Sequence, residues 1–188
     1  YLSLTLLMIV MLLLTGLGVY DSATIALSSI STGGLSPYSD SISHFNSRIV
    51  EWIVIIFMFL GGTNFFLQFR AMSRGGYKEL IKNSEFRAYV LIVIIASLIL
   101  FAFLGPEVAG MSTFDRFTAS TFQIISAMTS TGYTTISLGG LVNIASLILI
   151  IAMIIGGSSG STAGGIKIVR FVILRKFLSA TLYRTIHP

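Results

Sequence analysis

Residues 126–134 read SAMTSTGYT and residues 28–36 read SSISTGGLS, so two similar glycine-containing stretches lie 98 positions apart. A second pair of stretches, FMFLGG at 57–62 and AMIIGG at 152–157, follows at an offset of 95. The same order of features around both copies predicts an internal repeat with pseudosymmetry about a shared axis. A chance match of small polar residues is the alternative.

The sequence around these stretches is too apolar for a surface that faces water. Of the 188 residues, 54% are hydrophobic and only 10% are charged, whereas soluble domains carry roughly 25% charged residues. About 20 apolar residues cross the hydrocarbon core of a bilayer as a helix. The uncharged segments are 1–20, 22–39, 52–69, 88–106 and 117–166. They predict an all-α, multi-pass protein of the cell membrane.

The charged residues predict the orientation in the membrane. Ten of the twelve basic residues form two blocks beside apolar segments: Arg70, Arg74, Lys78, Lys82 and Arg87, then Lys167, Arg170, Arg175, Lys176 and Arg184. The positive-inside rule places both blocks in the cytoplasm, which explains the pI near 9.8 without a nucleic-acid partner. The outer connections are mainly acidic: Asp21, Asp40, Glu51, Glu107 and Asp115. These acids either raise the local cation concentration or belong to ordinary solvated loops.

The repeat divides the chain into two pore units joined by a basic cytoplasmic linker at 70–87. The Ser- and Thr-rich stretches at 22–32 and 116–131 are too short to span the bilayer as helices, which favours re-entrant pore helices. The first unit is 1–69, clipped at its N-terminus, with a pore helix at 22–32, a filter at 32–36 and an inner span at 50–69. The second unit is 88–188, with an outer span at 88–105, a pore helix at 116–129, a filter at 130–134 and an inner span at 141–180.

The two glycine stretches indicate a site for a monovalent cation. Residues 32–36 and 130–134 contain no charge, so hydroxyl and carbonyl oxygens are their only ligands. Rings of carbonyls replace the hydration shell of a potassium ion in channel filters, and glycine permits the positive φ that such a loop requires. The C-terminus of a preceding helix favours a cation, whereas divalent ions prefer carboxylates. A glycine turn that closes a helix hairpin is the alternative.

Residues 156–166, GGSSGSTAGGI, interrupt the last apolar run. Five glycines within ten residues each cost about 1 kcal/mol relative to alanine in a helix. They favour an unwound segment that lines the pore and acts as a movable gate, with close helix packing through small residues as the alternative. A nucleotide-binding P-loop is excluded because Ile166, not lysine, follows Gly165.

The remaining composition argues against an enzyme. The chain has no cysteine and two histidines, and no acid–base pair lies inside the uncharged segments. The sequence therefore predicts neither catalysis nor a cofactor. A non-transporting membrane scaffold, with glycines that serve only helix packing, is an alternative of another class.

The motifs STGGLS at 31–36, STGYTT at 130–135 and GGSSGSTAGGIKIVR at 156–170 resemble the Trk/Ktr/HKT superfamily of potassium transporters. The similarity is greatest to the membrane subunit of the bacterial and archaeal Trk/Ktr potassium-uptake systems. It implies a pseudo-fourfold pore of four span–loop–span repeats, of which this chain holds the second and third. The first and fourth repeats would lie outside it. It also implies a homodimer with a cytosolic nucleotide-binding regulatory subunit.

The resemblance assigns roles to individual residues of this chain. The residues matching the K⁺ filter are Thr32, Gly33, Gly34, Ser130, Thr131 and Gly132. The residues matching the intramembrane gating loop are Gly156, Gly157, Gly160, Gly164 and Gly165, with Lys167 at its cytosolic end. Leu35 departs from the family, which often has an aromatic residue there. The implied function is potassium uptake, and a Na⁺-permeable or Na⁺/K⁺-cotransporting member of the superfamily is the alternative.

Overall fold

The chain folds into a bundle of α-helices, seen in a computed structural model. The structure describes residues 1–75, 77–105, 108, 110–137, 139, 141 and 143–186. The α-helices in this part are α1 (Leu2–Leu14), α2 (Val19–Ile30), α3 (Arg48–Gly61), α4 (Phe65–Arg70), α5 (Tyr77–Lys82), α6 (Ser84–Phe103), α7 (Thr113–Met128), α8 (Asn143–Ile154) and α9 (Ile168–Ile186). A 3-10 helix spans Ser41–Phe45, and a π-helical turn spans Ala71–Gly75. Glu107 of the outer connections and residues 187–188 of the second unit lie outside the described residues.

The first apolar run forms a helix and a turn. Helix α1 ends at Leu14, and Gly16 follows with φ +90°, a left-handed conformation that commonly ends helices. Gly18 is the extended N-cap of α2, which therefore begins three residues before the expected pore helix at 22–32. The short helix α2 packs against α1 and α3.

The expected inner span at 50–69 is two helices rather than one. Helix α3 ends at Gly61, and the chain bends by 99° before α4 continues from Phe65. Asn64 caps α4 by accepting a hydrogen bond from Leu67 N at 3.1 Å. Gly62 lies at the bend and packs closely against α6, since a Cβ there would collide with the Tyr89 hydroxyl.

Helix α6 is the long straight element of the fold. Its 20 residues measure about 30 Å, and in the described part of the chain it is the helix that meets the length and hydropathy of a membrane span by itself. Asn83 caps it through Glu85 N and Phe86 N. Its exposed surface carries large apolar side chains, namely Leu91, Ile94, Ile95, Leu98 and Ile99.

The core lies where α2, α3 and α7 meet. Ile25, Ile30, Met58, Phe122 and Met128 are fully buried there. Helix α7 packs against α3, α6 and α8, so it is covered on several sides. The core thereby holds the C-terminal ends of α2 and α7 beside each other.

The expected inner span at 141–180 is broken, as the glycines of 156–166 predict. Helix α8 ends at Ile154 and α9 begins at Ile168. Ile155 and Ile166 form a short parallel bridge that closes the base of the non-helical segment. Beyond isolated bridges of this kind, no β-strand occurs among the described residues.

Candidate ion pathway built from two glycine loops and an unwound segment

Three non-helical segments converge at the centre of the bundle. The first glycine loop (31–36) follows α2, and the second glycine loop (129–134) follows α7. The unwound segment (155–167) joins α8 to α9. Together they contain all of the site residues expected from the sequence.

The two glycine loops share an unusual backbone conformation. Thr32 and Gly34 have φ of +54° and +68°, and Ser130 and Gly132 have φ of +57° and +86°. These pairs occupy matching positions, 98 residues apart. Positive φ is uncommon for a residue with a side chain, so the shared pair of left-handed residues is a specific local similarity.

Matching main-chain hydrogen bonds turn both loops back onto their helices. Gly33 N donates to Ser28 O at 2.8 Å, and Thr131 N donates to Ser126 O at 2.9 Å. These bonds leave the helical pattern because they join residues five apart. Each loop is therefore folded tightly against the last turn of the helix that precedes it.

A serine side chain fastens each loop from inside. The Ser28 hydroxyl accepts a bond from Leu35 N at 2.6 Å, while the Ser126 hydroxyl donates to Tyr133 O at 2.7 Å. Both serines are buried. Neither serine was among the predicted site residues, although they begin the two similar stretches.

The two loops lie against each other. A Cβ added at Gly34 would collide with the carbonyl oxygen of Thr131. The Tyr133 hydroxyl donates to Leu35 O at 3.0 Å, which bridges the loops a second time. By contrast, nothing lies within 4 Å of a Cβ built at Gly132. The loops thus form one cluster with an open side.

The structure brings the expected filter residues together but exposes them unequally. The buried ones are Thr32 and Thr131, the half-buried one is Gly34, and the exposed ones are Gly33, Ser130 and Gly132. Carbonyl and hydroxyl oxygens are the ligands that they offer. In the described part of the chain, His, Asp and Glu form no group of three or more that could hold a metal ion.

Thr162 ties the unwound segment to the first glycine loop. Its hydroxyl donates to Ile30 O at 2.8 Å, at the end of α2. Its carbonyl accepts a bond from the Thr32 hydroxyl at 2.9 Å, and its N–H donates to Gly61 O at 3.3 Å. Sequence reasoning missed this threonine because its partners lie 101 or more positions away.

Gly164 brings the same segment against the second glycine loop. A Cβ at Gly164 would lie 2.7 Å from the Ser130 hydroxyl oxygen. Because Thr162 and Gly164 contact different loops, the segment extends across one end of both.

Glycines also allow the unwound segment to fold back on itself. Gly156 N donates to Ile166 O at 3.1 Å, and a Cβ at Gly156 would collide with Gly164 O. Gly165 has φ +71° and leaves no room for a Cβ beside the Gly156 main chain. Side chains at these positions would force the two sides of the segment apart.

The tip of the unwound segment is held from the other side by Glu85. Its carboxylate accepts bonds from Ser159 N at 2.6 Å and from the Ser159 hydroxyl at 3.1 Å. Beside it, Gly160 O accepts a bond from Phe65 N at 3.2 Å. Lys167 Nζ donates to Ala163 O within the segment. Glu85 belongs to no recognisable motif, and Ser159 lies in the 156–166 motif without having been singled out, so sequence reasoning found neither contact.

Charges at the end of the bundle where α2, α3 and α7 begin are largely paired. Arg48 at the start of α3 forms a bidentate pair with Asp115 at the start of α7, at 2.7 and 2.8 Å. Asp21 accepts a bond from the Tyr38 hydroxyl at 3.2 Å. Loss of surrounding water, together with the Asp21 carboxylate, raises the pKa of Tyr38 above its ordinary value. Part of the acidic charge expected on this side is therefore neutralised or hydrogen-bonded.

A helical bundle with apolar exposed faces and irregular backbone at its centre is typical of a helical membrane protein. Non-helical backbone is tolerated at membrane depth where protein buries it or where it lines a water-filled cavity. Comparison with known proteins agrees: residues 1–188 match the TrkH family, described as cation transport proteins. The chain belongs to the TrkH family, which confirms the resemblance seen in its motifs.

Similar proteins align with this chain over its full length. The Trk system potassium uptake protein TrkH of Vibrio parahaemolyticus is 33% identical over 190 residues, and that of Escherichia coli is 30% identical over 192 residues. An uncharacterized cation transporter of Methanocaldococcus jannaschii is 33% identical over 196 residues. All three alignments cover 100% of this chain and 37–39% of the relative.

The fold is also that of a solved transporter. The crystal structure of the potassium transporter TrkH from Vibrio parahaemolyticus superposes with a TM-score of 0.90 at 33% identity. The match covers 100% of this chain and 41% of that one. This chain thus spans about two fifths of the length of the relatives that it matches.

Proposed function

We propose that the complete protein takes up K⁺ across the cytoplasmic membrane and that the two glycine loops form half of its selectivity filter. The observation that carries this proposal is the matched backbone of the loops, with left-handed residues at Thr32, Gly34, Ser130 and Gly132. The names of the Vibrio and Escherichia relatives, which are potassium uptake proteins, support the choice of ion.

The proposed ligands are main-chain carbonyls and hydroxyls of Thr32, Gly33, Gly34, Ser130, Thr131 and Gly132. An alkali ion loses its hydration shell when it enters such a ring of oxygens. Because the loops carry no carboxylate, the site suits a monovalent ion rather than a divalent one.

The architecture of the complete pore is part of the proposal. The two loops, related by an offset of 98, would be the second and third of four pseudo-fourfold repeats. The expected domains at 1–69 and 88–188, joined by the linker at 70–87, would be those repeats. Relatives that are more than twice as long leave room for the first and fourth. A homodimer and a cytosolic nucleotide-binding subunit complete the proposed assembly.

The unwound segment is the proposed gate. It crosses one end of both loops, held by Thr162 on one side and touching the second loop at Gly164. Its glycines, Gly156, Gly157, Gly160, Gly164 and Gly165, permit irregular backbone, and Lys167 lies at its cytosolic end. In this position the segment would obstruct an ion leaving the filter, so the arrangement is the closed one.

An uptake experiment tests the proposed filter. The full-length parent protein is expressed in a host that lacks potassium uptake, and Rb⁺ and Na⁺ uptake are compared for wild type and Gly132→Ser. We expect wild type to restore Rb⁺ uptake and the substitution to raise the Na⁺ share. Space is open at Gly132, so the strain that serine introduces there comes from the positive φ alone. Gly16→Ser is the matched control, because Gly16 also has positive φ, φ +90°, and open space but lies outside the loops.

Two outcomes would contradict the proposal. A wild-type protein that reaches the membrane but carries neither ion would favour the scaffold alternative. A wild type that carries Na⁺ as readily as Rb⁺ would favour the Na⁺-permeable alternative.

A further inference from the structure

We propose that Glu85 is a positioning residue that latches the unwound segment in its closed arrangement. This inference rests on the proposed function, in which the segment is the gate. Glu85 lies in the first turn of α6, whereas the segment joins α8 to α9. The latch therefore connects the gate to the long helix of the bundle.

The contact is a two-point clamp. The Glu85 carboxylate accepts from Ser159 N at 2.6 Å and from the Ser159 hydroxyl at 3.1 Å. Both donors belong to one residue, and the two oxygens of the carboxylate take one bond each. Hydrogen bonds to an ionised carboxylate are shorter and roughly twice as strong as those between neutral groups. The clamp consequently fixes both the position and the rotation of Ser159.

The clamp holds the tip of the unwound segment, which is why we describe it as a latch. Ser159 is at the tip, and Thr162 holds the side that faces the first glycine loop. The segment is thus held between the filter and α6. Among the described residues, Glu85 is the charged side chain from outside the segment that bonds to it.

The clamp is also placed where it can be released. Glu85 and Ser159 are half-buried rather than enclosed, so water can replace each bond when the segment moves. The neighbouring ties of the tip are single main-chain bonds, from Phe65 N to Gly160 O and from Ser158 N to Gly62 O. Among the described residues, the Glu85 carboxylate is the one charged group outside the unwound segment that bonds to it, so its release removes the charge-assisted tie between the segment and a neighbouring helix.

The test measures how exposed the segment is, independently of transport. Ser161→Cys places a reporter in the segment of the full-length protein, in which any other cysteine is replaced; this chain supplies none. The rate of modification by a methanethiosulfonate reagent is compared, in membranes, between the reporter alone and the reporter with Glu85→Ala, Glu85→Gln or Ser159→Ala. Rb⁺ uptake is measured on the same variants.

We expect Glu85→Ala to raise the modification rate about tenfold or more, from the loss of two charge-assisted bonds, and to raise Rb⁺ uptake. Glu85→Gln should be intermediate, because its amide oxygen still accepts from Ser159 N. The double variant Glu85→Ala, Ser159→Ala should add nothing to Glu85→Ala, since residues in one contact are not additive.

Glu79→Ala is the matched control. It removes a glutamate carboxylate from α5, where Glu79 pairs with Arg70 at 2.8 Å, and no hydrogen bond or ion pair joins Glu79 to the unwound segment among the described residues. We expect this variant to label and transport like the unmodified reporter.

Three results would overturn the latch. One is a folded Glu85→Ala that labels at the reporter's rate while Rb⁺ uptake persists. Another is a fall in Rb⁺ uptake by folded Glu85→Ala, which would mean that Glu85 supports the conducting form. If Glu85→Ala does not fold, then Glu85→Gln and Ser159→Ala decide, and wild-type labelling in both would overturn the latch. Failure of the proposed function looks different, because wild type itself would then carry no ion.

Discussion

Glycine at position 34 meets two separate requirements of the first glycine loop. Its φ of +68° is a conformation that costs an ordinary residue about 1–2 kcal/mol. Its missing side chain also leaves room for the carbonyl oxygen of Thr131. Gly132, at the matching position, meets only the first requirement, because the space around it is open.

This difference yields a prediction for a matched pair of variants. Gly34→Ala should be more destabilising than Gly132→Ala, because both add strain at positive φ but only the first drives a side chain into a neighbouring backbone. Thermal unfolding of the purified full-length protein in detergent measures the difference. Equal losses in the two variants would show that the loops do not pack as described.

Within the unwound segment, Gly164 and Gly165 are required for different reasons. A Cβ at Gly165 would lie 2.7–2.8 Å from Gly156 main-chain atoms, and residue 165 has a φ of +71° that strains any residue with a side chain. A Cβ at Gly164 would lie 2.7 Å from the Ser130 hydroxyl oxygen and 3.1 Å from the Ser130 Cβ. The hydroxyl can rotate away, but the Cβ cannot, so the segment itself has to shift slightly. Gly165 maintains the shape of the segment, and Gly164 lets the segment approach the second glycine loop.

Gly165→Ala should accordingly unfold at a lower temperature than wild type. Gly164→Ala should remain folded and transport Rb⁺ faster than wild type. The reason is that alanine at position 164 pushes the segment away from the second glycine loop. Rb⁺ uptake per folded protein and unfolding temperature, measured for both variants, separate the two effects. If glycines serve only helix packing, both variants lose stability and neither changes uptake per folded molecule.

The inner helices show how tertiary contacts decide where an element ends. The apolar run at 50–69 could continue as a single helix by composition. It bends by 99° instead. The carbonyls of Gly61 and Gly62 accept bonds from Thr162 N and Ser158 N of a distant segment. No local signal in the sequence contains that information.

At the scale of the whole molecule, Arg48 and Asp115 join the two predicted units at the end of the bundle where α3 and α7 begin. The pair is bidentate, but 62% of the Arg48 side chain and 28% of the Asp115 side chain are exposed. Water screens such a pair, so its contribution is small, typically below about 1 kcal/mol.

A double-mutant cycle with Arg48→Ala and Asp115→Ala should therefore give a coupling energy of about 0.5–1 kcal/mol that falls as salt is raised. Arg48→Lys should lose part of it, since lysine cannot form the bidentate contact. Unfolding temperatures at low and high ionic strength provide the measurement. A coupling that does not change with salt would argue against a screened ion pair.

Much of the architecture was predictable from the residues. The all-helical class and the break in the last apolar run follow from apolar length and glycine clustering, which are local properties. The family follows from the resemblance of the three motifs at 31–36, 130–135 and 156–170. The helix starts were less accurate: α2 begins at Val19 rather than residue 22, and α7 at Thr113 rather than residue 116. There the caps Gly18 and Ser112 decide, and sequence periodicity does not show them.

By itself, the sequence determined which segments leave the helix, because glycine and the small hydroxyl residues of the three motifs make irregular backbone inexpensive there. Only the tertiary structure decided what those segments touch. Thr162 reaches the first loop, Gly164 reaches the second, and Glu85 holds Ser159 across 74 positions. Such contacts depend on how whole helices pack, and hydrogen bonds between residues so far apart leave no pattern along a single chain.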